Sequence, residues 1–166
     1  MTADHPFLAS AREMLAASFE NMRKTLDGLS AEQLNARLDL EGANSLAVIT
    51  VHATKSARSW AGVAMGSKLP ERDRPAEFRT VAASAEEFLE ELRSVQEEAM
   101  TTLDGKPALP WHVLRPTHAR ADGSTMGEPG AWALLHGVEH AREHLSQMWL
   151  TRQALEDGRL DAPAEA

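Results

Sequence analysis

The sequence predicts an all-α fold, a four-helix bundle with a short connector helix and a long loop before the last helix. Three observations carry that prediction. Apolar residues recur at helical spacing in four long stretches. No stretch shows the strict apolar/polar alternation of a half-buried strand. The breaks between stretches carry Gly and Pro punctuation, and Ser or Asn stands at the expected helix starts.

The first long helix is expected from about Pro6, a residue suited to an early helical position, through Leu8, Met14, Leu15, Phe19, Met22 and Leu26 to a stop at Asp27-Gly28. Ser30-Ala-Glu-Gln33 has the spacing of a capping box and should open the connector helix, which runs to about Leu38. The second long helix begins after Gly42, with Asn44 or Ser45 as cap, and ends at Gly66. Its apolar stripe is Leu46, Ile49, Ala53, Trp60 and Val63, with His52 beside it. Ser67 to Pro75 reads as a charged, proline-bearing loop. The third long helix is expected over roughly Thr80 to Leu103, with a second capping box at Ser84 to Glu87 and a stop at Asp104-Gly105. Lys106 to Pro129 holds four of the eight prolines and little period, so it reads as one long irregular loop. The last helix covers about Gly130 to Glu156. Residues 1–158 are therefore expected to form a single domain, followed by a frayed tail over 159–166.

Composition narrows the chemistry. The chain has 166 residues, 43% apolar and 25% charged, which suits one globular domain with a full core. A net charge of −8 is a poor basis for gripping phosphate backbones, so no nucleic-acid partner is expected. With no cysteine there is no disulfide, no thiolate nucleophile and no cysteine metal ligand, and any thiol chemistry must draw its thiol from a cosubstrate. The N-terminal stretch lacks the basic start and apolar core of a signal peptide, and no apolar run approaches a membrane span. The expected location is cytoplasmic, with no membrane partner.

The last helix carries the most specific signal, His136, His140 and His144 in LLHGVEHAREHLSQMWL. Residues four apart lie on one helix face with Cβ atoms about 5–6 Å apart, so His140 and His144 are placed to share one ion. A catalytic site of the zinc type needs a third protein ligand and an open position, and in a bundle that ligand comes from a facing helix. His52 is the best candidate. Its own stretch leaves it between a hydrogen-bonded core histidine and a ligand. HGVEH and HAREH also fit the H-x-x-E-H pattern, which makes Glu139 and Glu143 weak candidates for a catalytic carboxylate, although a solvated role or an orienting contact to an imidazole suits them better. His5, His112 and His118 are assigned no role.

The order of first helix, GLSAEQL connector, GANSLAVITVH and HAREHLSQM resembles the DinB/YfiT-like superfamily of four-helix-bundle metalloenzymes over nearly the whole chain. The resemblance implies a histidine in the second long helix after an N-S-[IL] start, an H-x3-H pair in the last helix, and a glutamine shortly after it. The matching residues are His52, His140, His144 and Gln147. By the same resemblance His136 and Gln147 support the ligands, the metal is zinc, nickel or iron, and a homodimer is possible. Characterised branches transfer bacillithiol or mycothiol or isomerise maleylpyruvate with mycothiol, while many relatives are only described as hydrolases.

The leading functional expectation is thus a divalent-metal-dependent enzyme that transfers a low-molecular-weight thiol to a small electrophilic substrate. The alternative is a hydrolase using a metal-bound water. A non-catalytic small-ligand-binding module is the third reading, though three histidines without a fourth protein ligand argue against a closed structural site. An interaction protein has only Trp149 in its favour.

Overall fold

The computed structural model describes residues 6–39, 41–67, 72–119, 125–158 and 160–161. Helix α1 (Pro6–Leu26) buries Leu8, Ala11, Leu15, Phe19, Met22 and Leu26, a stripe at steps of three and four. Helix α2 (Ala31–Asn35) opens with both hydrogen bonds of the capping box: Ser30 accepts from the Gln33 N–H, and the Gln33 side chain accepts from the Ser30 N–H. It stops at Asn35 rather than Leu38, because the Asn35 amide leaves the helix to bond both backbone groups of Ala82. The strand β1 (Arg37–Leu38) follows and pairs antiparallel with β4 (Leu160–Asp161), so the first described residues of the expected frayed tail have a backbone partner.

Helix α3 (Leu46–Met65) is buried on every side, with only Lys55, Arg58 and Trp60 partly exposed. Its small residues explain how it can be central: Ala, Ser, Thr and Gly let neighbouring helices approach closely. It packs most extensively on α6 (Gly130–Glu156) and next on α5 (Ala85–Leu103), while α6 also packs on α1. The four long helices thus form the bundle expected from the sequence, with Phe19, Leu34, Leu46, Leu103, Leu134 and Met148 in its core. Each such side chain, fully buried, stabilises the fold by about 1.5–3 kcal/mol. No helix among the described residues is long and apolar enough to cross a membrane.

Two caps fix the ends of α3. Ser45, 1% exposed, accepts a hydrogen bond from the Val48 N–H at 3.3 Å. At the other end Gly66 takes φ +90°, and a Cβ there would lie 3.0 Å from the Ala108 Cβ, so both backbone and space call for glycine. Ser45→Ala is expected to cost about 1 kcal/mol, read as a melting temperature lower by about 2–4 °C. An unchanged melting curve would show that the hydroxyl contributes nothing to the helix start.

Two sequence expectations need correction. Helix α5 begins at Ala85, not near Thr80, because Ser84 captures the Glu87 N–H, and a separate one-turn helix α4 (Arg74–Glu77) precedes it. The stretch Lys106 to Pro129 is not one irregular loop. It contains an antiparallel hairpin, β2 (Leu114–Ala119) against β3 (Thr125–Pro129), with a register irregularity between Pro116 and His118. The hairpin was hidden because its alternation is inverted: Leu114 and Pro116 face out while Arg115 and Thr117 are buried. The buried Arg115 guanidinium donates to the carbonyls of Leu109, Pro110 and Val113, tying the loop to the hairpin, and burial pushes its pKa below the ordinary arginine value.

Candidate metal centre

Helices α3 and α6 run antiparallel side by side. Thr50 meets Met148, His52 meets both His140 and His144, and Trp60 meets His136 and Trp132. That pairing carries a ring from α3 onto the histidine face of α6. One ring nitrogen each from His52, His140 and His144 lies within 4.8 Å of the others, and such a group can hold a metal ion. The ring centroids are 5.1 Å apart for His52 and His140, 5.0 Å for His52 and His144, and 4.4 Å for His140 and His144. His52 is buried and the other two are half-buried, so the group opens toward solvent on the α6 side.

The contacts of each ring decide which nitrogen it offers. His52 Nδ1 stands 3.0 Å from Glu77 Oε2. Glu77 also accepts two hydrogen bonds from Arg72, at 2.8 Å from Nε and 2.6 Å from Nη2, so the carboxylate only accepts and His52 Nδ1 carries the proton. The Nε2 of His52 is then the nitrogen with a free lone pair. Gln147 Oε1 does the same for His144, accepting from Nδ1 at 2.8 Å. His140 differs, since its Nδ1 is buried and has no hydrogen-bond partner among the described residues. A buried polar atom left unpaired costs about 1–3 kcal/mol. That unpaired ring nitrogen fits a metal-binding role, and three nitrogen donors without cysteine suit a divalent ion of borderline softness.

Burial favours the neutral, metal-binding form of two of the rings, His52 and His140. Burial pushes the His140 pKa down to about 3, helped by the neighbouring His144, His52 and His136. Burial also lowers the His52 value, against the opposing pull of Glu77. For Glu77, burial works to raise the pKa, but the Arg72 hydrogen bonds and charge, then His52, hold it below the usual carboxylate value. Neutral imidazole is the metal-binding form.

The other residues singled out in the sequence are placed as follows. Gln147 sits on His144, as above. His136 lies one turn from His140, at a centroid distance of 5.8 Å, and its ring stacks on Trp132 at 4.8 Å and 15°. Glu139 and Glu143 are exposed and line a groove between α1 and α6 with Met14, Arg142 and Ser146. Glu139 reaches only within 4.0 Å of His136 Nδ1. His112 is exposed, and His5 lies outside the described residues. Sequence reasoning missed Glu77, Arg72 and Phe78, whose ring sits 4.9 Å from His52. They occupy a short segment without helical period, and only the cluster R-D-R-P-A-E-F, charges around a proline, marked it.

A sequence profile of the DinB superfamily matches residues 14–148. A conserved protein from Enterococcus faecalis of known structure is similar at 15% identity, with a TM-score of 0.69 over 90% of this chain and 96% of that one. A DinB-like protein from Bacillus cereus is similar at 20% identity, with a TM-score of 0.60 over 96% of this chain and 95% of that one. No curated protein matches the chain.

Proposed function

The chain belongs to the DinB superfamily, and from that premise we propose that it is a divalent-metal-dependent enzyme that transfers a low-molecular-weight thiol to a small electrophilic substrate. The observation that carries the proposal is the convergence of three imidazoles on two helices, two of them kept neutral by their surroundings and two half-exposed. His52, His140 and His144 would hold zinc, nickel or iron. A divalent ion supplies Lewis acidity there, lowering the proton affinity of a thiol or a water beside it.

The chain's own groups do the positioning. Glu77 holds the His52 ring by its Nδ1 proton, and Arg72 holds Glu77. Gln147 orients His144 from the solvent side. Phe78 packs on His52 and limits water on that flank. Because the chain has no cysteine, the sulfur nucleophile comes with a cosubstrate, which favours a reducing, cytoplasmic setting. In the transfer, sulfur bonds to the electrophilic carbon as the leaving group departs with its electron pair and the thiol proton passes to solvent. A homodimer belongs to the same reading, with the exposed Met14 and Leu135, which line one groove, in its apolar contact.

The test is metal analysis of untagged protein followed by an assay with a small thiol and a generic halo-aromatic electrophile. Turnover that needs both metal and thiol is the expected result. Metal-dependent hydrolysis of an activated ester without thiol would replace this reading with a hydrolase, and metal binding without either activity would leave a ligand-binding module.

A further inference from the structure

The histidine face does not end at His140. Moving eight residues from His52 along α3 reaches Trp60, and eight residues back from His140 along α6 reaches Trp132. Because the helices are antiparallel, both steps lead about 12 Å toward the same end of the bundle. The two tryptophans meet there, with centroids 5.6 Å apart and planes at 74°. His136 fills the space between them and the candidate metal centre: it stacks flat on Trp132, stands edge-on to Trp60 at 4.8 Å and 89°, and lies 5.8 Å from His140. The result is a continuous row of rings from His144 to Trp132.

Two features separate this row from ordinary core packing. The core aromatics Phe19 and Phe88 are 2% and 6% exposed, whereas Trp132 is 43% exposed and the His136 side chain 31%. A large apolar ring left in solvent, contiguous with half-exposed histidines that can hold a metal, marks a binding surface. The row is also rigidly backed. A Cβ on Gly137 would lie 2.9 Å from the Trp60 Cβ, so only glycine at 137 allows Trp60 to seat against the α6 backbone at this level. Preset aromatic side chains bind flat rings at low entropic cost.

We propose that the Trp60, His136 and Trp132 rings form a subsite for a flat, uncharged aromatic group, which makes an electrophile carrying an aromatic anchor the substrate class of the histidine site. This rests on the thiol-transfer reading for the reaction but not for the binding. A ligand ring stacks on the side of Trp132 away from His136, so it anchors a substrate whose reactive end extends past His136 to the histidine site. Stacking selects flat rings over saturated rings of the same volume, because a saturated ring keeps the apolar contact and loses the quadrupole term.

The experiment titrates β-naphthol and its saturated counterpart decahydronaphthol into the full chain by calorimetry, in metal-loaded and chelator-treated protein. β-Naphthol is expected to bind up to about tenfold more tightly than the saturated compound. Trp132→Ala should remove that preference, Trp132→Phe should restore most of it, and Trp149→Ala, on the outer face of α6, should leave it unchanged. Equal affinity for the two compounds, or a preference that survives Trp132→Ala, would overturn the proposal, as would equal losses from the Trp132 and Trp149 variants. The probe carries no leaving group and needs no thiol. A preference that persists in chelator-treated protein, alongside absent thiol transfer, therefore supports the subsite while refuting the reaction.

Discussion

Replacing His140 by alanine is expected to abolish stoichiometric binding of a divalent ion, and with it the whole of any chelator-sensitive stability. Two imidazoles remain in His140→Ala, and two nitrogen ligands from separate helices fall short of the three that a catalytic site uses. The three rings form a nearly equilateral triangle, with centroids 5.1, 5.0 and 4.4 Å apart, so the loss of His140 removes one of three comparable corners. An ion held by all three imidazoles of the wild type would tie α3 to α6 and be released on unfolding, adding about 2.7 kcal/mol at a free-metal concentration 100 times Kd. The measurement is the melting temperature with and without chelator at pH 7.5 and 5.5, for the wild type, His140→Ala and the exposed-loop control His112→Ala. A wild-type chelator shift that survives in His140→Ala would move the site elsewhere.

Acidification has a defined sign in the metal-free protein. His140 has an ordinary value of 6.5 and a folded value of about 3, so above 6.5 both folded and unfolded chains hold it neutral and it contributes no difference. As the pH falls below 6.5 the unfolded chain takes up the proton first and stability is lost progressively toward pH 3. His52, lowered in the same direction, adds to the loss. Removing His140 should therefore flatten the acid side of the metal-free stability profile while destroying metal binding.

Glu77→Ala is the second large effect, and it should be felt in both stability and metal affinity. The carboxylate is 2% exposed and joins His52 Nδ1 to the Arg72 guanidinium. Deleting it leaves a buried ring proton and a mostly buried cation without their acceptor, which costs about 3–5 kcal/mol when a buried ion pair loses one member. His52 also loses the contact that fixes its tautomer and orientation, and such losses lower metal affinity by about 10–100-fold. Urea denaturation in the presence of chelator reads the first quantity, and competition against a chromophoric chelator reads the second. The double variant Glu77→Ala/Arg72→Ala should be less destabilised than the sum of the singles, since both remove one network. Unchanged metal affinity in Glu77→Ala would reduce the carboxylate to a fold-stabilising role.

Local patterns in the chain determined the four long helices, through apolar residues at helical spacing and, for α3 and α5, the N-caps Ser45 and Ser84. The same periodicity put His140 and His144 on one face. Residues of α3 gave His52 only as a candidate, and the distance of 88 residues to His140 is closed by packing. Tertiary structure alone decided what surrounds these rings. Glu77, Arg72 and Phe78 sit in an aperiodic segment that reaches the site through the fold, and the β2–β3 hairpin turns polar residues inward, against the rule by which strands are recognised. Trp132 reads in sequence as one more residue on a long helix; only the antiparallel seating of α3 on α6, made possible by a glycine at 137, brings Trp60 against it and extends the histidine face into a row of rings. Periodicity reports which residues share a face of one element. Which faces meet depends on volumes and close approaches between elements distant in the chain, and those exist only once the bundle is packed.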